Sequence, residues 1–112
     1  MGRKKDLVIT DGLNVYPAVV ERVINGFAQV RESAVIGRED ERRGERVVAV
    51  VVPEGALNIE ALRAHCRERL ASYQIPKEFH TVEELPRNTM GKVLKRELKK
   101  SFAEVRRPTA AV

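Results

Sequence analysis

Cysteine and aromatic residues are scarce in this sequence, and tryptophan is missing. The one cysteine, Cys66, excludes an internal disulfide and favours a reducing compartment, so we expect a cytoplasmic location. Two histidines and one cysteine at scattered positions offer no metal-ligand spacing, so we expect no metal site. Aromatic residues make up only 4% of the chain, which leaves no platform of stacked rings for single-stranded nucleic acid.

Long apolar runs and nucleic-acid motifs are also lacking. No apolar stretch approaches the ~20 residues of a membrane span, and the opening MGRKKDL has no apolar core of a signal peptide. Neither zinc-finger spacing nor an RNA-recognition signature occurs. We therefore expect neither a membrane span nor a nucleic-acid partner.

Positive charge is in moderate excess, with 21 Lys and Arg against 16 Asp and Glu, a net charge of +5. This balance suits an anionic ligand such as a nucleotide or a phosphorylated cofactor, although an ordinary solvated surface explains most of these charges. A chain of 112 residues fits one domain with one modest core. A deep pocket enclosed by this chain alone is not expected, so chemistry on a large substrate would need a partner surface.

The first third of the chain predicts a hairpin followed by a helix. Residues 6–17 contain two short strand-like segments around the turn signal Asp11-Gly12. Pro17 suits the first position of a helix. The apolar face of that helix is predicted to consist of Val19, Val20, Val23, Ile24 and Phe27.

The rest of the chain alternates between strands and helices. Residues 33–37 predict a strand, 38–44 a charged loop, and the β-branched run 47–52 a central strand buried on both faces. Asn58 is a suitable N-cap for a second helix, residues 78–82 predict a last strand, and a short basic helix begins at Val93. The predicted fold is α+β: a small mixed sheet with two or three helices packed on it, plus an N-terminal two-stranded hairpin.

Three segments, in this order, resemble the C-terminal domain of the adenylate-forming, AMP-binding enzyme superfamily. They are GRKKDLVITDGLNVYP (residues 2–17), LASYQIP (70–76) and LPRNTMGKVLKREL (85–98). Together they cover nearly the whole chain except its tail. The resemblance identifies the chain as the C-terminal part of an acyl- or aryl-CoA synthetase and implies three units: a hinge remnant and linker (1–5), the domain (6–100) and a frayed tail (101–112).

The third segment carries the predicted catalytic residue. Asn88 and Thr89 predict a solvated, mobile loop, and Gly91 permits a backbone shape that presents Lys92 at its tip. The resemblance implies that Lys92 contacts the substrate carboxylate and the α-phosphate of ATP and stabilises the adenylation transition state. Taken without the other two segments, Lys92 is better explained as one of many exposed surface lysines.

The first segment carries the predicted hinge and a second functional loop. The resemblance implies that Lys5 is the hinge about which the domain rotates and that Arg3 contacts the nucleotide. The implied thioester loop consists of Gly12, Leu13 and Asn14. The family often has two glycines where this chain has Asp11-Gly12, so free CoA and a carrier-protein phosphopantetheine both stay open as thiol acceptors. On pattern alone, the same residues fit a plain hairpin turn.

CoA contacts are implied by the second segment and by the loop DERRG. Tyr73 corresponds to an aromatic residue that packs on the CoA adenine in some members, or it packs at a helix end. Arg43 occupies the tryptophan position of the family's D-x-x-W-G loop and could stack on adenine or pair with phosphate. Arg67 and Lys77 are further candidates for CoA phosphate contacts, and each also fits a solvated surface charge.

The resemblance implies an acid–thiol ligase of the kind found in fatty acid metabolism, in which this domain alternates between two poses. ATP, Mg²⁺ and CoA would act in the full-length enzyme, and none would be bound by this fragment alone, which we expect to be inactive. The implied partners are the missing N-terminal domain, a carboxylic acid, ATP and CoA. The alternatives are a ligase that acts on a carrier protein or stops at the adenylate, and a non-catalytic basic binding module.

Overall fold

The computed structural model describes residues 7–103, with side chains through residue 100. Its strands are β1 (Val8–Thr10), β2 (Leu13–Val15), β3 (Val30–Asp40), β4 (Gly44–Pro53) and β5 (Glu78–Thr81). Its α-helices are α1 (Pro17–Asn25), α2 (Ile59–Arg69) and α3 (Lys95–Ala103), and a 3-10 turn covers Ser72–Gln74. The predicted positions Arg3 and Lys5, and the tail beyond residue 103, lie outside the described residues.

The sheet is built around the long antiparallel hairpin of β3 and β4, which pair from Val30↔Pro53 to Asp40↔Gly44. The other edge of β4 is shared: β1 meets it at Thr10↔Gly44, and β5 runs parallel to it further along. β1 and β2 form the N-terminal hairpin. The predicted α+β fold with a small mixed sheet and a two-stranded hairpin is confirmed.

The charged segment 38–44 was predicted to be a loop, and that prediction was wrong for most of its length. Both strands continue through it, leaving only residues 41–43 as a turn. The Asp40 carboxylate accepts the backbone N–H groups of Arg42 and Arg43, which closes the turn tightly. Charged side chains do not prevent strand pairing, because the ladder uses only backbone groups.

β4 is buried on both faces, as the apolar run 47–52 predicts. Its side chains alternate between two apolar clusters. On one face Val47, Ala49 and Val51 pack with residues of α1 and α2. On the opposite face Val48, Val50 and Val52 pack with Leu85 and Leu98, the latter from α3. The sheet therefore has helices on both faces, and the segment 85–98 covers the second one.

The helix boundaries follow local signals. Pro17 occupies the start of α1, as predicted, and Asn58 caps α2 by accepting the Ala61 N–H at 3.0 Å. The predicted apolar face of α1 is partly wrong, since Val19 is exposed. α3 begins at Lys95 rather than at Val93, because Val93 forms a β-bridge with Arg87 instead.

Candidate functional site

The turn that carries Lys92 is closed by Asn88. The Asn88 side-chain oxygen accepts the backbone N–H groups of Met90 at 2.9 Å and of Lys92 at 3.0 Å. The Asn88 N–H donates to the Lys92 carbonyl at 2.9 Å, and the Gly91 N–H donates to the Asn88 carbonyl at 2.9 Å. Asn88 therefore fixes the shape of the turn, which remains exposed to water.

Gly91 lets this turn reverse without strain, since its φ of 84° is a conformation that side-chain-bearing residues rarely adopt. Lys92 itself is exposed, and its side chain forms no ion pair with any residue in the described range. The backbone of Lys92 is thus held on both its N–H and its carbonyl side, while the ammonium group points to solvent.

Ion pairs anchor the segment on either side of Lys92. Arg87 pairs with Glu32 of β3 through both of its terminal nitrogens. Lys95, at the start of α3, lies 2.7 Å from the carboxylate of Glu21, which also accepts the backbone N–H of Val35 at 2.8 Å. No motif in the sequence indicates Glu32 or Glu21, because a carboxylate more than fifty positions from its partner leaves no local pattern.

The predicted Asp11-Gly12 turn is present at the tip of the β1–β2 hairpin. Asp11 and Gly12 have φ of 53° and 78°, the pair of positive values typical of a type I′ turn. A Cβ placed on Gly12 would meet no atom within 4 Å, so the turn faces open space. Leu13 and Asn14 of β2 are also exposed.

A hydrogen bond and ion pairs connect this turn to the neighbouring β3–β4 turn. The Asp11 N–H donates to the Arg43 carbonyl at 2.9 Å, and the Asp11 carboxylate lies 3.7 Å from the Arg43 guanidinium. Arg43 also contacts Asp40 at 3.4 Å. The carboxylates of Asp11 and Asp40 therefore both face Arg43 and offset part of the positive charge that it would offer to a phosphate.

Glu78 is the centre of this charged network and is almost fully buried. Its carboxylate lies 3.1 Å from Arg38 of β3, 2.7 Å from Arg46 of β4 and 2.9 Å from His80 of β5. The Arg46 contact is a close ion pair without the alignment of a hydrogen bond. Arg46 also lies 3.5 Å from Asp40, which connects the network to the Gly12 turn.

Hydrogen bonds in the β3–β4 turn lower the pKa of Asp40 below its usual 3.8, chiefly the N–H of Arg42 and then that of Arg43. Because the folded-state pKa is depressed, Asp40 stabilises the fold above pH 3.8 and loses that contribution as the pH falls through its folded-state pKa. We expect Asp40→Asn to be less stable than the wild type at neutral pH, with the difference shrinking in acid. Urea unfolding of both chains between about pH 2 and pH 6 measures it; a constant difference would contradict this assignment.

The predicted CoA-binding residues are only partly brought together. Tyr73 lies in the 3-10 turn, which contacts β2, and its ring is half-buried against the first apolar cluster. Arg67 is exposed on α2. Lys77 is exposed just before β5, where its backbone N–H donates to Val47. Tyr73 therefore packs against the core in this structure, which is the alternative to an adenine contact that the sequence left open.

The Lys92 turn and the Gly12 turn lie at opposite ends of the β3–β4 hairpin. Arg87 is bound to Glu32, which pairs with Val52 near the end of β4. The Gly12 turn is held at the other end, where β1 meets Gly44. The eight residue steps from Gly44 to Val52 correspond to about 26 Å at the usual rise of a strand.

Residues 7–103 contain neither a metal-binding cluster nor a membrane-spanning helix. No group of three or more His, Cys, Asp or Glu side chains in this range could hold a metal ion. None of its helices is long and apolar enough to cross a membrane.

Comparison with known proteins gives a consistent set of relatives. Residues 19–92 match the family model described as the AMP-binding enzyme C-terminal domain. The chain is 40% identical over 105 residues to 2-succinylbenzoate–CoA ligase of Bacillus cereus, covering 94% of this chain and 22% of the relative. It is 44% identical over 110 residues to long-chain-fatty-acid–CoA ligase of Yersinia pestis, covering 97% of this chain and 20% of the relative.

A solved structure extends the similarity to three dimensions. The o-succinylbenzoate CoA synthetase of Bacillus subtilis, in complex with its acyl-adenylate intermediate, matches with a TM-score of 0.83 and 40% identity. The match covers 86% of this chain and 20% of that enzyme. This chain thus spans about a fifth of the length of the relatives it matches.

Proposed function

From the premise that this chain belongs to the family of AMP-binding enzyme C-terminal domains, within the adenylate-forming superfamily, we propose that it is the mobile C-terminal domain of an acyl-CoA synthetase. In this proposal the complete enzyme activates a carboxylic acid with ATP and Mg²⁺ and transfers the acyl group to CoA. The domain supplies Lys92 to the first half-reaction and the Gly12 loop to the second. The isolated 112-residue chain is expected to form no acyl-adenylate, because the other half of the active site is missing.

The observation that carries the proposal is the separation of the two loops. The β4 residues nearest the two anchoring contacts, Val52 opposite Glu32 and Gly44 opposite Thr10, are about 26 Å apart at the usual rise of a strand, at opposite ends of one hairpin. A rigid domain in one pose cannot place both loops in the same cleft. Rotation of the domain would present them in turn, and we propose Lys5 as the hinge for that rotation.

Lys92 has the properties that adenylation requires. When the substrate carboxylate attacks the α-phosphate of ATP, negative charge gathers on the oxygens of both groups as pyrophosphate leaves. An ammonium group held against both would align them and stabilise that charge. Hydrogen bonds to Asn88 hold the backbone of Lys92. The Lys92 side chain stays exposed, so its ammonium group could enter a cleft formed by another domain.

The remaining predicted residues have supporting roles in the proposal. Arg3 would contact the nucleotide, while Gly12, Leu13 and Asn14 would line the path of the thiol. Tyr73, Arg43, Arg67 and Lys77 are candidates for CoA contacts. Free CoA is the favoured acceptor, because the named relatives are CoA ligases. Comparing free CoA with a carrier protein as acceptor for the full-length enzyme would separate the two thiols.

Replacing Gly12 with valine is expected to slow thioester formation selectively. Valine is strained at a φ of 78° and adds bulk on the side where a thin ligand would pass. We expect thioester formation from supplied adenylate to fall about tenfold, and adenylation to stay within about twofold. Single-turnover rates of both half-reactions in the full-length ligase would measure this.

Gly55 provides a matched control for the backbone strain. It has a φ of 77°, and a Cβ placed on it would also meet nothing within 4 Å. It lies between β4 and α2, away from the proposed thiol path. If Gly55→Val slows thioester formation as much as Gly12→Val does, general loss of stability rather than a blocked path is the cause.

A further inference from the structure

We propose that Glu32 is a positioning residue for Lys92, acting through Arg87. The catalytic consequence rests on the function proposed for Lys92, whereas the effect on loop geometry does not. Glu32 lies on β3, sixty positions before Lys92 in the chain, and neither the family resemblance nor any motif in the sequence indicates it.

Arg87 uses three nitrogens to connect the strand to the turn. Both terminal nitrogens donate to the two carboxylate oxygens of Glu32, with Nη1 at 3.2 Å from Oε2. The third nitrogen, Nε, donates to the carbonyl of Gly91 at 3.1 Å. The Gly91 carbonyl belongs to the peptide unit that joins Gly91 to Lys92, so the guanidinium sets the orientation of that peptide.

The planar guanidinium makes the two contacts interdependent. A bidentate carboxylate fixes both the position and the plane of an arginine fork. With the plane fixed by Glu32, Nε points at the Gly91 carbonyl. Arg87 is about one-third exposed, so without Glu32 its side chain would be free to turn toward water. The Gly91 carbonyl would then lose its donor, and the peptide before Lys92 would keep only the contact of its N–H with Asn88.

The start of β3 is shaped to aim Glu32 at this turn. The β3–β4 register shifts between Val30 and Glu32, leaving Arg31 as the extra residue of a β-bulge. As a result Val30 packs in the first apolar cluster, while the even-numbered Ala34 and Ile36 pack in the second. Glu32 follows the alternation of Ala34 and therefore emerges on the face that the Lys92 segment covers.

The Gly91–Lys92 peptide is held at two points, its N–H by the Asn88 side chain and its carbonyl by Arg87. Asn88 binds the N–H and the carbonyl of Lys92, and Lys95 is held by Glu21 at the start of α3. Arg87 is the partner of the Gly91 carbonyl within the described residues. Loss of Glu32 would consequently loosen the turn and change the aim of Lys92 while the sheet stays folded.

The test uses Glu32→Gln in the full-length ligase, with Glu39→Gln as the matched control. Glu39 lies on the same strand, is exposed and forms no ion pair with the described residues. We expect Glu32→Gln to lower the kcat/KM of adenylation about tenfold, because a small misplacement of a catalytic group has effects of this size. Thioester formation from supplied adenylate should stay within about twofold of wild type.

Hydrogen exchange of the peptide covering residues 87–93, followed by mass spectrometry, provides a readout independent of catalysis. We expect faster exchange in Glu32→Gln and unchanged exchange in Glu39→Gln. Exchange that is the same in both variants would overturn the inference whatever the kinetics show. Adenylation unaffected by Glu32→Gln in an enzyme that Lys92→Ala inactivates would also overturn it.

The same experiment distinguishes failure of this inference from failure of the proposed function. If Lys92→Ala retains full adenylation, the function proposed for Lys92 is wrong. Faster exchange in Glu32→Gln would even then support the positioning of the turn by Glu32, since exchange reports the backbone hydrogen bonds directly.

Discussion

Lys92→Ala in the full-length ligase is expected to lower the rate of adenylation roughly 100- to 1,000-fold, the usual effect of removing one group that stabilises transition-state charge. Thioester formation from supplied acyl-adenylate should stay within about twofold of wild type, because Lys92 lies at the far end of the β3–β4 hairpin from the Gly12 turn. Pyrophosphate release measures the first half-reaction, and CoA thioester appearance measures the second.

The control for this variant should be Lys99→Ala rather than Lys95→Ala. Lys95 lies 2.7 Å from Glu21 and fixes the start of α3, so its loss would disturb the neighbouring turn. Lys99 is exposed on α3 and forms no ion pair within the described part of the chain. A non-catalytic basic binding module would respond similarly to the loss of either cation. Equal activities of Lys92→Ala and Lys99→Ala would therefore favour that alternative.

Glu78→Gln is expected to destabilise the 112-residue chain by about 3 kcal/mol, the size of effect seen when one partner of a buried ion pair is removed. The carboxylate is almost fully buried and faces Arg38, Arg46 and His80. Glutamine keeps the shape but removes the buried negative charge that faces both arginines, and Arg46 keeps its longer contact with Asp40. Denaturant unfolding at neutral pH would measure the change in the free energy of unfolding.

Glu83→Gln is the matched control for Glu78→Gln, since Glu83 lies just after β5 and is exposed. Surface changes of this kind usually shift stability by less than about 0.5 kcal/mol. If Glu78→Gln shifts stability no more than Glu83→Gln does, the network around Glu78 contributes little to the fold. That result would contradict the inference that the network stabilises the Gly12 turn through Arg46, Asp40 and Arg43.

Local signals in the sequence predicted much of the fold. The apolar run 47–52 indicated a strand buried on both faces, and the structure shows it between two apolar clusters. Asn58 and Pro17 marked the starts of helices, because capping and fixed φ depend on neighbouring residues alone. The Asp11-Gly12 turn was likewise readable, since few residue pairs adopt two positive φ angles.

Contacts between distant parts of the chain were not predictable in the same way. The segment 38–44 looked like a loop because its residues are charged, yet partners on other strands, such as Glu78, keep those charges within the sheet. The pairing of Arg87 with Glu32 spans 55 positions and follows from the strand register and the bulge at Arg31. The sequence motif identifies Lys92, but it does not identify Glu32, the distant partner of the neighbouring Arg87.

The central claim is that Lys92 and Gly12 act in different half-reactions from opposite ends of one domain. The most direct test is the ratio of the adenylation rate to the thioester-forming rate in full-length Lys92→Ala and Gly12→Val. The account predicts that this ratio falls in Lys92→Ala and rises in Gly12→Val, relative to wild type. A ratio that stays at the wild-type value in both variants, with both rates reduced together, would contradict it.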